Sequence, residues 1–108
     1  MTRFEARTSA GPGRIVVALS GECDLAAREE LTSTLLNAVA DSPEVVVDVG
    51  AVTFLDSSGV HGLVTAHRAA RLDGRRLYLV NAGGMVADVL DITGVADLLR
   101  PPAGGQHA

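Results

Sequence analysis

Two serines stand side by side in Asp56-Ser57-Ser58-Gly59, with a carboxylate before them, a glycine after them and His61 close behind. Residues of these types at this spacing could do three kinds of chemistry. At a helix start, Asp56, Ser57 or Ser58 can accept hydrogen bonds from the unpaired N–H groups of the first turn. A phosphate on either serine would meet the positive end of the helix dipole. A serine, a histidine and an aspartate could also form a hydrolytic relay. The local pattern disfavours that relay: Ser57 has no Gly-x-Ser-x-Gly elbow around it, and an aspartate directly before the serine is badly placed to orient a histidine. Capping and phosphate acceptance are left, and the motif alone does not choose between them.

A second carboxylate bears on the choice. Gly21-Glu22-Cys23-Asp24 follows an apolar, β-branched run over residues 14–20, which predicts a strand. In a parallel or mixed α/β sheet, loops at the carboxyl ends of strands gather on one rim. That arrangement would bring Asp24 near Ser57.

The elements that must do this positioning read as follows. Residues 3–8 predict an edge strand and residues 9–13, with Gly11, Pro12 and Gly13, a turn, so the chain opens with a hairpin. Gly21–Asp24 is expected to be a turn. Asp24 is a plausible N-cap for a helix over 25–40, with Glu29 and Glu30 early in it and Leu31, Leu35, Ala38 and Val39 as its buried stripe. The valine run at 44–49 predicts a central strand buried on both faces. Residues 50–56 lead into a helix over 57–72, where Val60, Leu63, Val64 and His67 mark the apolar face and Gly74 the stop. Residues 76–80 predict the last strand, 85–90 a short helix and 95–99 one more turn. The order is β-β-α-β-α-β-α. It predicts a single α/β domain with a mixed four- to five-stranded sheet, an opening β-hairpin and three to four helices. Residues 1–100 are expected to form the domain, and 101–108 a flexible C-terminal tail.

Composition narrows the function classes. With 108 residues, the chain is sized for one modest core. Its net charge of −4 does not favour a nucleic-acid partner. All nine basic residues are arginine, so no Schiff-base, Walker or receiver-type lysine is available. Cys23 is the sole cysteine, which rules out an intrachain disulfide; nothing near it in sequence would activate it, so it reads as a space-filler. No signal-like N-terminus and no apolar run near the roughly 20 residues of a membrane span is present, and a cytoplasmic location is expected. His61, His67 and His107 do not have the spacing of a metal site, so neither metal nor cofactor is expected. Arg71, Arg75 and Arg76 read as a solvated basic patch at a helix end.

The strand ending in Gly-Glu-Cys-Asp, the valine strand containing Asp48, and Val52-Thr53-Phe54-Leu55-Asp56-Ser57-Ser58-Gly59 entering a helix together resemble the STAS domain. The closest likeness is to the stand-alone bacterial anti-sigma factor antagonists. It extends over about residues 3–99, and Asp91-Ile92-Thr93-Gly94 fits the family's closing turn. The resemblance implies a non-enzymatic partner switch. An anti-sigma factor that is also a serine kinase would phosphorylate Ser57. The unphosphorylated form would bind that kinase and free a sigma factor, and a phosphatase would reset the cycle. Asp24, Asp56, Ser57, Ser58, Gly59 and His61 are the expected contact residues, Gly59 by admitting the partner closely. The protein is expected to be a monomer or weak dimer without membrane or nucleic-acid partners. One departure stands out: the family often continues Ser-Ser-Gly-Leu-Gly, whereas here His61 takes the glycine's place. STAS-like scaffold subunits of stress-signalling complexes and STAS components of lipid transporters are the alternatives.

Overall fold

Pro12 has no N–H to give a ladder and, with Gly13, favours reversal of the chain. In the computed structural model, which describes residues 3–102, β1 (Glu5–Gly11) and β2 (Arg14–Cys23) pair antiparallel across this two-residue turn. The predicted hairpin is present, but β1 lies a few residues later than expected because so short a turn leaves Ser9 and Ala10 free to pair. A single 3-10 turn (Leu25–Ala27) and helix α1 (Arg28–Asp41) lead to β3 (Glu44–Leu55); α2 (Ser57–Leu72) leads to β4 (Arg76–Val80); α3 (Gly84–Ile92) and α4 (Val95–Leu98) follow. The strand order is β1-β2-β3-β4, with β2, β3 and β4 parallel. This is a single α/β domain with a four-stranded mixed sheet, an opening hairpin and four helices. The expected tail begins at Pro101, and most of it, residues 103–108, lies outside the described residues.

The two central strands run further than their hydrophobic patterns indicate. Residues 21–24 and 50–56 were expected as turn and lead-in because of Gly21, Gly50 and Ala51. Instead β2 and β3 stay paired as far as Cys23 and Leu55, with register shifts between Ala18 and Ser20 and between Gly21 and Glu22. A bulge keeps a ladder going where a strict alternation breaks, and glycine suits that position.

Alternation along β2 buries Ile15, Val17, Leu19 and Cys23 in one core with Val45, Val47 and Val49 of β3 and Leu77 and Leu79 of β4. Leu31, Leu35, Ala38 and Val39 of α1 join them as the periodicity predicts. The face of α2 is turned from the expected one. Its buried residues are Gly59, Gly62, Leu63, Ala66 and Ala70, while Val60, Val64 and His67 are half-buried. Small residues let a helix come close to its neighbours, and a pattern that scores only large apolar side chains overlooks them. Burial of β3 on both faces is also incomplete: Val46 is buried on the second face, but Asp48 is half-buried beside exposed Ala18.

Two contacts finish the frame. The Leu79 amide donates to the Leu99 carbonyl (2.9 Å), which draws the end of α4 onto the outer edge of β4. The Arg75 guanidinium donates to the carbonyls of Val39 (2.6 Å) and Ala40 (3.0 Å) at the negative end of α1. Arg75 is thus a helix cap and not part of a solvated patch; Arg71 and Arg76 remain exposed.

Candidate functional site

The long β2–β3 ribbon sets the site. Cys23 and Leu55 are register partners, and the Asp56 amide donates to the Cys23 carbonyl (3.3 Å). Asp24 and Asp56 therefore leave the sheet side by side, so the β2–α1 and β3–α2 connections meet as expected. β4 pairs with β3 only from Glu44 to Asp48. Its exit loop leaves the sheet well before Leu55 and has no share in this rim.

Each aspartate caps a helical turn. Asp24 Oδ1 accepts from the Ala27 amide (3.2 Å). Asp56 Oδ1 accepts from the amides of Ser58 (2.9 Å) and Gly59 (3.3 Å). Asp56 thus does the capping that the sequence left open among Asp56, Ser57 and Ser58. Ser57 begins α2 with its side chain exposed, Ser58 is half-buried, and His61 is exposed one turn further on.

Gly59 differs from the expectation that it admits a partner. It is buried, and a Cβ built there would lie 2.5 Å from the Cys23 carbonyl oxygen and 2.6 Å from Leu55 Cδ1. Its missing side chain serves the seating of α2 on the end of the ribbon. Gly62 continues this close approach: a Cβ there would lie 2.9 Å from Thr32 Oγ1 of α1.

Cys23 sits beneath the two carboxylates. Burial, and then the charges of Asp24 and Asp56, push its thiol up to about 11. It is therefore neutral near pH 7 and shielded, which agrees with a space-filling role. In the native protein at pH 7.5, alkylation of Cys23 by iodoacetamide is expected to be at least tenfold slower than in urea-unfolded protein, as read by mass spectrometry; equal rates would contradict the burial. The sign of the linkage is definite. A thiol whose pKa is raised by folding favours the folded state below its unfolded value, and that contribution is lost as pH rises from about 9 towards 11.

Two features of the surface were not found from sequence. Leu25, next to Asp24, is 69% exposed, and Phe54, on the ribbon before Leu55, is 40% exposed. Neither fits the period of its element, and that misfit was the available signal. A groove of about 570 Å³ also opens between α1 and α2, and its lining includes Arg28, Glu29, Glu30, Thr32 and His61. Among the described residues no three His, Cys, Asp or Glu side chains cluster so as to hold a metal ion, and no helix is long and apolar enough to cross a membrane. His107 lies outside the described residues.

The family model for the STAS domain matches residues 3–103. No curated protein sequence matches the chain. Among solved structures, it is similar to an anti-sigma factor antagonist from Mycobacterium paratuberculosis, with 24% identity, a TM-score of 0.82, and coverage of 95% of this chain and 90% of that one. It is similar to the Bacillus cell fate determinant SpoIIAA in its phosphorylated form, with 22% identity, a TM-score of 0.68, and coverage of 88% and 86%. A sulfate transporter family protein from Wolinella succinogenes shares the fold at 16% identity, with a TM-score of 0.71 and coverage of 84% and 75%.

Proposed function

The chain belongs to the STAS-domain family, and on that premise we propose that it is an anti-sigma factor antagonist acting by partner switching in the cytoplasm. The observation that carries this reading is the division of labour at the start of α2. Asp56 caps the helix, so the exposed hydroxyl of Ser57 is not committed to holding the fold. The unphosphorylated protein binds an anti-sigma factor that is also a serine kinase, and thereby releases a sigma factor. The kinase transfers a phosphoryl group to Ser57 Oγ, the complex parts, and a phosphatase restores the hydroxyl. The protein itself performs no catalysis.

The energetics fit a switch without refolding. Phosphorylation adds about −1.5 to −2 charges at neutral pH. Asp24 and Asp56 already make this rim negative, so an apposed partner meets like-charge repulsion and the cost of desolvating a phosphate. Leu25 and Phe54 supply apolar area for the bound state.

Incubation with ATP and each anti-sigma kinase of the source organism, followed by intact-mass measurement and site mapping, tests this. One added phosphate on Ser57, absent from Ser57→Ala, is the expected result. No phosphate with any kinase would favour the second reading, which the likeness to a sulfate transporter family protein supports: a STAS component of a transporter or scaffold assembly, in which Ser57 is an ordinary helix residue.

A further inference from the structure

We infer that His61 is the domain's own counter-ion for a phosphate on Ser57, an inference that rests on the reading of Ser57 as the phosphoacceptor. Three amides at the start of α2 are already engaged. The amides of Ser58 and Gly59 donate to Asp56 Oδ1 (2.9 and 3.3 Å), and that of Val60 to the Asp56 carbonyl (3.0 Å). A phosphate on Ser57 therefore gains little from these N–H groups and stands beside the Asp56 carboxylate. A side chain can supply the cation that these amides do not.

Helix geometry supplies one. Residues four apart share a face, and a helical side chain leans over the turn that precedes it. From position 61 the imidazole thus reaches back towards position 57, and both residues are exposed. The charged groups around His61 across the groove are Arg28, Glu29 and Glu30 at the start of α1, with Asp24 and Asp56 on the rim. In the unmodified protein Glu29 and Glu30 are the anions available to an imidazolium. A phosphate dianion four residues away on the same helix outcompetes them by charge. The ligand is a phosphate monoester on the chain itself. An imidazolium at position 61 also offsets part of the repulsion that drives the partner off.

The test needs no kinase. Phosphoserine is incorporated at position 57 during translation, and the phosphate is titrated by phosphorus NMR in wild type, His61→Gln and Arg28→Gln. An imidazolium favours the dianion, so the midpoint in wild type is expected to lie about 0.3 of a pH unit below that of His61→Gln. Identical midpoints would overturn the inference, as would a shift produced only by Arg28→Gln. Because the phosphate is installed directly, failure of every kinase to modify Ser57 would count against the partner switch and leave this result standing.

Discussion

Ser57→Ala will bind the anti-sigma kinase as tightly as the unmodified protein does and will hold it in the presence of ATP, while Ser57→Asp will bind at least tenfold more weakly. Isothermal titration or surface binding with purified kinase measures both. The alanine variant loses only an exposed hydroxyl, and the cap is untouched because Asp56 supplies it. Its fold and the charge of its rim are therefore unchanged. The aspartate variant adds a third carboxylate beside Asp24 and Asp56. Tenfold weakening corresponds to about 1.4 kcal/mol, which is modest for a charge buried without a partner at an interface. A phosphate carries up to twice the charge and should act more strongly. Equal affinities for the two variants would sink the mechanism.

Gly21→Ala is expected to destabilise the fold by about 3 kcal/mol, by two additive routes. Gly21 has φ +85°, a conformation that costs an L-residue roughly 1–2 kcal/mol. A Cβ there would also lie 2.2 Å from the Arg3 carbonyl oxygen and 2.6 Å from its carbonyl carbon; relieving such overlap typically costs about 1–3 kcal/mol. Both obstacles are backbone atoms, which cannot swing aside as a flexible side chain would. For a domain of this size the loss corresponds to a fall of about 15 °C in melting temperature. Gly83→Ala is the control, since a Cβ there meets nothing within 4 Å and its φ is extended. Similar melting of the two variants would show that the bulge in β2 tolerates a side chain. The effect bears on function because the register shift after Gly21 sets where Cys23 and Asp24 arrive beside Leu55 and Asp56.

Helix α2 was legible from end to end because both its boundaries are chemical: an aspartate cap before Ser57 and a glycine just after Leu72. β4 and the stripe of α1 were legible from periodicity. The meeting of Asp24 with Asp56 followed from the general rule for parallel strands. What sequence reasoning missed shares one physical cause. Gly21 and Gly50 read locally as breaks and Gly59 as an opening for a partner, yet the structure uses Gly21 to bend a continuing strand and Gly59 and Gly62 to bring a helix against its neighbours. Those uses depend on atoms far along the chain: the Arg3 carbonyl for Gly21, the Cys23 carbonyl for Gly59, Thr32 for Gly62. Arg75 is similar, since its acceptors on α1 are more than thirty residues away. Ser57 and His61 are exposed, and an exposed side chain leaves no packing signature in sequence or fold.

The closure of β4 by Leu99 has a consequence at the level of the cell's inventory of this protein. A regulator that works by occupying another molecule must be present in amounts matched to it, and a share lost to self-assembly would distort the count. Open sheet edges are where such loss begins. Here one outward amide of β4 is already taken by Leu99, and the other outer strand, β1, carries Glu5 and Arg7 among mostly exposed residues. A second copy approaching strand to strand would find one edge occupied and the other charged. Under the proposed function, copies that do not pair edge to edge would leave the amount of free antagonist to follow synthesis and the state of Ser57.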